Sequence, residues 1–273
     1  TGYQVNPVGK SMSDIDLSGK VAIVTGASRG IGQELVRYFS AAGAMVFFCA
    51  RREEPLKLLS DELNARGIAT YARVCDVTDP AEVHKLIAWV VSQGGKVDIL
   101  INNVGIAGPT KPLEDTELLE WNETIGGNLT STFLCMRAVV PVMKLNGGGS
   151  IVNISSVTGK RPLVYRSGYA AAKMGVIGLT RTSAEQLGPF KIRVNAICPG
   201  AVEGERLDEV ISGQADLRGV GVEQIREMVA KQSPLGELVR AVDVARAAAF
   251  LASDISARMT GQDINVTAGA FMS

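Results

Sequence analysis

A tyrosine and a lysine four residues apart, Tyr169 and Lys173, carry the clearest chemical signal in this sequence of 273 residues. In a helix, side chains at this spacing project from one face and can act on the same substrate atom. A phenol is a poor base at neutral pH, but a neighbouring ammonium group stabilises the phenolate and lowers the pKa of the tyrosine. The pair is therefore suited to proton transfer.

A tyrosine and a lysine at helical spacing also occur on ordinary surface helices, so the pair alone is weak evidence. Ser156 strengthens the interpretation. It directly follows an apolar run at 150–155, which is typical of a buried strand. In an open α/β sheet, ligands bind beyond the carboxyl ends of the strands. A hydroxyl group at that edge can form a hydrogen bond with the oxygen of a substrate.

Short apolar runs alternate with amphipathic stretches from about residue 20 onward, which is typical of a parallel sheet covered by helices on both faces. The predicted strands are 21–25, 45–49, 70–75, 97–102, 150–155, 193–197 and 264–266. The predicted helices are 31–42, 55–65, 80–92, 117–145, 168–187 and 241–252. No linker divides the chain, so we expect a single α/β domain at 17–273 with a Rossmann-like, doubly wound parallel sheet of seven strands.

Two segments do not follow this alternation of strands and helices. Residues 1–16 are polar, and because Met12 resembles a natural start, they are expected to be a flexible N-terminal leader or a cloning remnant. Residues 203–233 are polar and contain several glycines. This second segment is expected to form a helical insertion that acts as a substrate lid.

A glycine-rich turn follows the first predicted strand and precedes a helix. Its three glycines, Gly26, Gly30 and Gly32, have the spacing GxxxGxG. Glycines allow a tight turn, and the free N–H groups at the start of the next helix can bind a pyrophosphate. The turn therefore indicates a dinucleotide site, although a plain strand-to-helix turn is the alternative. The residues assigned to the site are Gly26, Ser28, Arg29, Gly30, Ile31 and Gly32.

The end of the second predicted strand indicates which dinucleotide binds. An acidic residue there would bond the ribose of NAD, whereas arginine accommodates the 2′-phosphate of NADP. Ala50 takes the place of the acid, and Arg51 and Arg52 follow it. Arg29 in the glycine turn is expected to lie close enough to share the phosphate. NADP(H) is therefore favoured, and NAD(H) is the alternative because the next two residues are acids that could pair with the arginines.

Together these features resemble the short-chain dehydrogenase/reductase family over residues 17–269. The motifs that carry the resemblance are TGASRGIG at 25–32, CDV at 75–77, NNVG at 102–105, GNLT at 127–130, ISS at 154–156, YAAAK at 169–173 and PG at 199–200. The resemblance implies that Tyr169 is the general acid/base and that Lys173 binds the nicotinamide ribose and lowers the pKa of Tyr169. It also implies that Ser156 orients the substrate oxygen and that Asn128 holds a water molecule in a proton relay.

The expected cofactor site extends beyond the glycine turn, Arg51 and Arg52. It also includes Asp76, Val77, Asn103, Gly105, Tyr169, Lys173, Pro199, Gly200 and Val202. Asp76 would accept a hydrogen bond from the adenine amino group, unless it caps the helix that follows. Two positions depart from the family pattern. Val104 replaces an alanine, and Gly204 stands where a threonine usually contacts the nicotinamide carboxamide.

The predicted substrate contacts are Ile106, Arg166 and Arg206. Arg166 lies about one helical turn before Tyr169, so its guanidinium could clamp an anionic group of the substrate. An ordinary exposed arginine near the start of a helix is the alternative.

Composition argues against several other classes of protein. Its 28 basic and 28 acidic residues cancel, so no overall charge favours a nucleic acid or an anionic membrane as a partner. The longest apolar run, at 41–50, is too short to cross a bilayer. The widely spaced Cys49, Cys75, Cys135 and Cys198 are expected to be buried, reduced thiols of a cytoplasmic protein. With His84 as the sole histidine, no metal site is expected.

The sequence therefore predicts an oxidoreductase that transfers hydride between a nicotinamide cofactor and a small carbonyl or secondary alcohol. The alternatives are an NAD-dependent alcohol dehydrogenase of the same family and a non-catalytic sensor of the cofactor. An epimerase or dehydratase is disfavoured because no large substrate domain follows the sheet. The apolar segment 268–272 is expected to help the chain form a homotetramer or homodimer.

Overall fold

Seven parallel strands form one sheet in the order β3-β2-β1-β4-β5-β6-β7 in the computed structural model, which describes residues 15–272. The strands are β1 (Val21–Thr25), β2 (Met45–Ala50), β3 (Tyr71–Val74), β4 (Ile99–Asn102), β5 (Gly149–Ile154), β6 (Ile192–Pro199) and β7 (Asp263–Val266). This order confirms the doubly wound α/β fold. The proposed leader lies almost entirely outside the described residues and stays a prediction.

Nine α-helices accompany the sheet in the described part of the chain. They are α1 (Gly30–Ala41), α2 (Glu53–Asn64), α3 (Pro80–Gly94), α4 (Leu118–Ile125), α5 (Ser131–Leu145), α6 (Ser167–Leu187), α7 (Glu205–Arg218), α8 (Val222–Lys231) and α9 (Ala241–Ala252). None of these helices within residues 15–272 is both long and apolar enough to cross a membrane.

Both faces of the sheet are covered, because the side chains of each central strand alternate between two hydrophobic cores. In β1, Ala22 and Val24 join the core formed with α1, α2 and α9. Val21 and Ile23 join the core formed with α3, α5 and α6. Fully burying one large apolar side chain contributes about 1.5–3 kcal/mol, so the two cores hold the sheet as a rigid platform for its carboxyl edge.

One predicted helix differs from the structure in a way that affects the site. The stretch 117–145 was expected to be continuous, but a π-helical turn, Gly126–Thr130, separates α4 from α5. Such turns hold one extra residue and are frequent at functional sites. The apolar pattern runs through the turn, so the sequence did not reveal it.

The polar segment 203–233 forms α7 and α8, which lie outside the sheet as expected. These helices have a small hydrophobic core of their own, centred on Ile211, Ala215 and Ile225. The two main cores contain no residue of this cluster. The segment is therefore a local unit above the carboxyl edge of the sheet.

Candidate active site

Backbone angles or close packing favour glycine at each of the three glycine positions of the turn. Gly26 and Gly30 have positive φ angles of 71° and 54°, which favour glycine. A Cβ atom at Gly32 would collide with the carbonyl oxygen of Gly26. From the end of β4, Asn103 Nδ2 donates to the carbonyl oxygens of Thr25 at 3.1 Å and Gly26 at 3.0 Å. This cradle fits the pyrophosphate of a dinucleotide.

We expect Gly32→Ala to weaken the binding of NADPH at least about tenfold, because the new methyl group must push the turn open. Fluorescence titration of NADPH measures the effect. Gly178→Ala is a matched control, since no atom lies within 4 Å of its added Cβ. Equal NADPH affinities in the two variants would contradict the role of the turn.

A cavity of about 1400 Å³ runs along the carboxyl edge of the sheet, next to the point where β1 and β4 are neighbours. Open α/β sheets bind ligands at this kind of crevice. Its walls contain every predicted site residue except Asn128, namely Gly26, Ser28, Arg29, Gly30, Ile31, Gly32, Arg51, Arg52, Asp76, Val77, Asn103, Gly105, Ile106, Ser156, Arg166, Tyr169, Lys173, Pro199, Gly200, Val202 and Arg206. Asn128 is fully buried behind the wall.

Tyr169 and Lys173 share one face of α6, directly beside the end of β5. The Lys173 Nζ atom lies 5.7 Å from the centre of the Tyr169 ring and donates to the carbonyl oxygen of Ile154 at 2.9 Å. Ser155 Oγ donates to the carbonyl oxygen of Lys173 at 2.8 Å, which ties the helix to the strand. Ser156, the next residue, accepts a hydrogen bond from the Thr158 N–H at 3.1 Å.

The surroundings change the pKa values of Lys173 and Tyr169. Burial lowers the pKa of Lys173 to about 8, opposed by the nearby Tyr169 and reinforced by Arg206. Burial alone would raise the pKa of Tyr169, but Arg206, Lys173, a hydrogen bond with Ser156 and Arg166 together bring it below its ordinary value. A tyrosine adjusted in this direction is better able to exchange a proton near neutral pH.

The π-helical turn places Asn128 deep in the protein, next to the site. Its Nδ2 atom donates to the carbonyl oxygens of Ile106 at 3.1 Å and Thr124 at 2.8 Å. The Oδ1 atom is buried and has no hydrogen-bond partner. A Cβ atom at Gly105 would lie 2.6 Å from this oxygen and 3.3 Å from Lys173 Nζ, so both atoms border the same small space. A buried, unpartnered acceptor is suited to hold a water molecule.

The three arginines expected near the 2′-phosphate differ in their surroundings. Arg29 forms ion pairs with Glu205 at 3.3 Å and Glu209 at 3.0 Å, both on α7. Arg51 and Arg52 are exposed on the cavity wall. The alternative was that Arg51 and Arg52 pair with the two acids that follow them. Neither arginine forms an ion pair within residues 15–272.

The alternative role considered for Asp76, that of a helix cap, is wrong. Asp79 caps α3, because its carboxylate accepts from the N–H groups of Ala81 and Glu82. The Asp76 carboxylate instead accepts from the N–H and the hydroxyl of Thr78, at 2.9 and 2.7 Å. It stays on the wall of the cavity, where the adenine contact was predicted.

The predicted substrate residues surround Tyr169. Arg166 is only 3% exposed, so the alternative of an ordinary exposed arginine is wrong. The centre of its guanidinium lies 4.9 Å from the centre of the Tyr169 ring, and that of Arg206 lies 5.8 Å away. Ile106 packs against the position of Gly127 in the π-helical turn.

Two features of the site were not found by sequence reasoning. Arg29 pairs with Glu205 and Glu209, which lie 176 and 180 residues later in the chain. Asn153 of β5 links Asn102 to Thr180 through hydrogen bonds of 2.8 and 2.9 Å beneath the site. In both groups the residues lie far apart in the sequence, so no short motif indicates that they are in contact. In the described residues, no group of three or more His, Cys, Asp or Glu side chains is arranged to hold a metal.

Comparison with known proteins shows what this architecture is similar to. The family model described as enoyl-(acyl carrier protein) reductase matches residues 26–270. The chain is 39% identical over 251 residues to a protein named for ketoacyl reduction in the granaticin polyketide synthase of Streptomyces violaceoruber, with 91% of this chain and 92% of that protein covered. It is 35% identical over 254 residues to 3-oxoacyl-acyl-carrier-protein reductase FabG of Staphylococcus aureus, with 93% and 98% covered.

A solved structure gives the same result. A tryptophan variant of actinorhodin polyketide ketoreductase with NADPH matches at a TM-score of 0.88 and 36% identity, with 92% of this chain and 98% of that chain covered. The glycine turn, the tyrosine and the lysine thus lie in a chain that resembles these reductases over nearly its whole length. The chain belongs to the short-chain dehydrogenase/reductase family of NAD(P)-dependent oxidoreductases.

Proposed function

We propose that this protein is an NADP(H)-dependent reductase of a small carbonyl compound, with the secondary alcohol as the product. The observation that carries the proposal is the meeting of Ser156, Tyr169 and Lys173 in the cavity that the glycine turn also borders. The similarity to ketoacyl reductases and to a ketoreductase with NADPH supports both the reaction and the cofactor.

Residues from several parts of the chain would hold the cofactor. The glycine turn would bind the pyrophosphate, Asp76 and Val77 the adenine end, and Lys173 the nicotinamide ribose. Asn103, Gly105, Pro199, Gly200 and Val202 complete the proposed cofactor wall. When bound, NADP(H) supplies or accepts the hydride, which no side chain can do.

The chain itself would handle the proton. Tyr169 donates its hydroxyl proton to the carbonyl oxygen as negative charge develops there, and Ser156 supplies a second hydrogen bond to that oxygen. Lys173 stabilises the phenolate that Tyr169 leaves behind. Asn128 holds a water molecule through its unpartnered Oδ1, and this water links Lys173 to solvent so that Tyr169 regains its proton.

The preference for NADP(H) rests on Arg51 and Arg52, which keep their guanidinium groups free on the cavity wall. We expect Arg51→Gln to weaken NADPH binding by about tenfold and to leave NADH binding unchanged, because only NADPH carries the 2′-phosphate. Fluorescence titration with both cofactors measures this. Arg66→Gln, a change to an exposed arginine paired with Glu62, is the control. An equal loss for both cofactors would refute the assignment.

Segment 203–233 serves as the substrate lid in this proposal. Its attachment to the rest of the molecule supports this role, because Gln214 Nε2 donates to the Val164 carbonyl oxygen at 2.9 Å and Arg29 pairs with Glu205 and Glu209. A unit with its own small core and a few polar links can move without disturbing the sheet.

The proposal includes a homotetramer or homodimer in the cytoplasm. Apolar side chains that a monomer would leave in water support the assembly, since Leu118 of α4, Phe133 of α5 and Met174 of α6 are 73%, 44% and 53% exposed. The four cysteines of the described residues are free and buried, which supports the reducing compartment. Light scattering on the protein and on Phe133→Glu would test the assembly, and unchanged mass would argue against α5 as the interface.

Titration with NADPH and NADH, followed by a panel of ketones with the tighter cofactor, tests the proposed function. We expect tighter binding of NADPH and its oxidation with at least one ketone. Tighter binding of NADH would overturn the cofactor preference. Tight NADPH binding with no turnover of any ketone or alcohol would favour the non-catalytic sensor instead.

A further inference from the structure

Three cationic side chains surround the ring of Tyr169. Arg166, Lys173 and Arg206 approach its centre to 4.9, 5.7 and 5.8 Å. Lys173 has the role proposed above and a carbonyl oxygen as its partner. Arg166 and Arg206 also help to lower the pKa of Tyr169, but that effect does not use their hydrogen-bond donors. Their unpartnered donors need a separate explanation.

Arg166 is buried with most of its hydrogen-bonding capacity unused. One nitrogen, Nη2, donates to the carbonyl oxygen of Ala107 at 2.6 Å. The Nε and Nη1 atoms are buried and have no partner. A guanidinium removed from water without acceptors is unfavourable, so a protein that keeps one has a use for the free donors. Arg166 borders the cavity, so these donors lie beside the space that a bound molecule would occupy.

Arg206 reaches the same place from a different element. It lies in the first turn of α7, whereas Arg166 directly precedes α6. Its Nη2 atom is also buried and unpartnered, and it lies 3.6 Å from where a Cβ of Gly105 would be. Two guanidinium groups with free donors therefore converge on the part of the cavity beside Tyr169.

Neighbouring carboxylates do not neutralise this pair. Three acids near Arg206 in the chain have other partners, because Glu205 and Glu209 pair with Arg29 and Asp208 pairs with Arg226. Neither Arg166 nor Arg206 forms an ion pair within residues 15–272. Uncompensated positive charge on the wall of a cavity attracts an anion that supplies the missing acceptors.

We infer that Arg166 and Arg206 bind an anionic oxygen group of the substrate, so that the enzyme reduces a short oxo acid rather than a neutral ketone. The inference rests on the proposed function. Both guanidinium groups lie within 6 Å of the ring whose hydroxyl meets the carbonyl oxygen, so the anion is only a few bonds from the carbonyl carbon. Carboxylate, sulfonate and phosphonate groups share the required chemistry.

The experiment compares each acid with its own methyl ester. Pyruvate, acetoacetate and levulinate place the carboxylate at increasing distances from the carbonyl group, and their esters lack the charge. We expect kcat/KM with NADPH to be at least about 30-fold higher for one acid than for its ester, a typical effect of a buried charge pair. Acetonylsulfonate and acetonylphosphonate, measured beside acetoacetate, identify which oxyanion the site prefers.

The Arg206→Gln variant assigns the effect to the pair. Any change in the pKa of Tyr169 affects the acid and its ester alike, so the ratio of their kcat/KM values isolates the anion contact. We expect this ratio of acid to ester to fall by about 30-fold or more, while the affinity for NADPH stays the same. Arg166→Gln should behave alike, but Arg206 is the safer test because it is less buried. Arg246→Gln, a change to an exposed arginine of α9 that does not border the cavity, is the matched control and should leave the ratio of acid to ester unchanged.

The outcomes separate this inference from the proposed function. If esters are reduced as well as their acids, the inference fails and the reductase stands. If Arg206→Gln weakens NADPH binding without changing the ratio of acid to ester, the arginine serves the cofactor and the inference also fails. If the wild-type protein reduces none of the ketones, the proposed function fails. Calorimetry of acetoacetate and its ester with protein and excess NADP+ then decides whether the arginines bind the anion.

Discussion

Tyr169→Phe should lower kcat for ketone reduction by about 1,000-fold, because positioned general acid catalysis typically contributes factors of this size. The change removes only the hydroxyl group, so the ring remains between Arg166, Lys173 and Arg206. Steady-state oxidation of NADPH at saturating ketone measures the loss. The variant should still bind NADPH, because the glycine turn and Lys173 are unchanged.

Tyr38→Phe is the control for this experiment. Tyr38 packs against a hydrophobic core from α1 and does not border the cavity, so its loss should leave kcat within about twofold. Thermal unfolding of both variants establishes that each is folded. If folded Tyr169→Phe keeps wild-type turnover, another group donates the proton and the assignment is wrong.

Lys173→Met should have the next largest effect, a decrease of about 100-fold in kcat/KM together with a displaced pH profile. Oxidation of the alcohol requires the Tyr169 phenolate, so its rate rises as pH increases through the pKa of Tyr169. The ammonium of Lys173 is one of the charges that hold this pKa below its ordinary value. Removing it raises the pKa of Tyr169, and the midpoint of the oxidation profile must therefore move to higher pH.

The rate of ketone reduction has the opposite dependence on pH. Reduction requires the protonated phenol and declines as pH rises through the same pKa, so in Lys173→Met this decline also moves to higher pH. Lys57→Met, a change on the exposed side of α2, should leave both midpoints in place. A lower rate with an unmoved midpoint would mean that Lys173 only binds the ribose and does not adjust Tyr169.

The sequence allowed the sheet to be predicted, and also which residues lie together at its carboxyl edge, because both depend on local patterns. Buried parallel strands need continuous apolar runs, and a pyrophosphate turn needs glycine at fixed spacing. The helix Ala241–Ala252 has the bounds that were predicted, and the spacing of Tyr169 and Lys173 places them together on α6. The comparisons with ketoacyl reductases confirm the family to which these motifs pointed.

Features that depend on contacts between distant segments were not predictable. The π-helical turn at Asn128 is held by its hydrogen bond to the carbonyl oxygen of Ile106, 22 residues earlier in the chain. The burial of Arg166 follows from packing against Ala107 and Tyr169, whereas the sequence alone favours an exposed arginine at the start of a helix. Arg29 was assigned to the cofactor without any sign that two acids of α7 hold it.

Transfer of deuterium from NADPH that carries deuterium in place of both hydrogens at C4 of the nicotinamide tests the central claim most directly. The wild-type protein is incubated with the labelled cofactor and the preferred ketone, and the alcohol is analysed by mass spectrometry and NMR. We predict that deuterium appears at the carbinol carbon in an amount equal to the NADPH oxidised, and that Tyr169→Phe binds the cofactor but transfers almost none. Tight binding of NADPH by the wild-type protein with no deuterium in any alcohol would contradict the account.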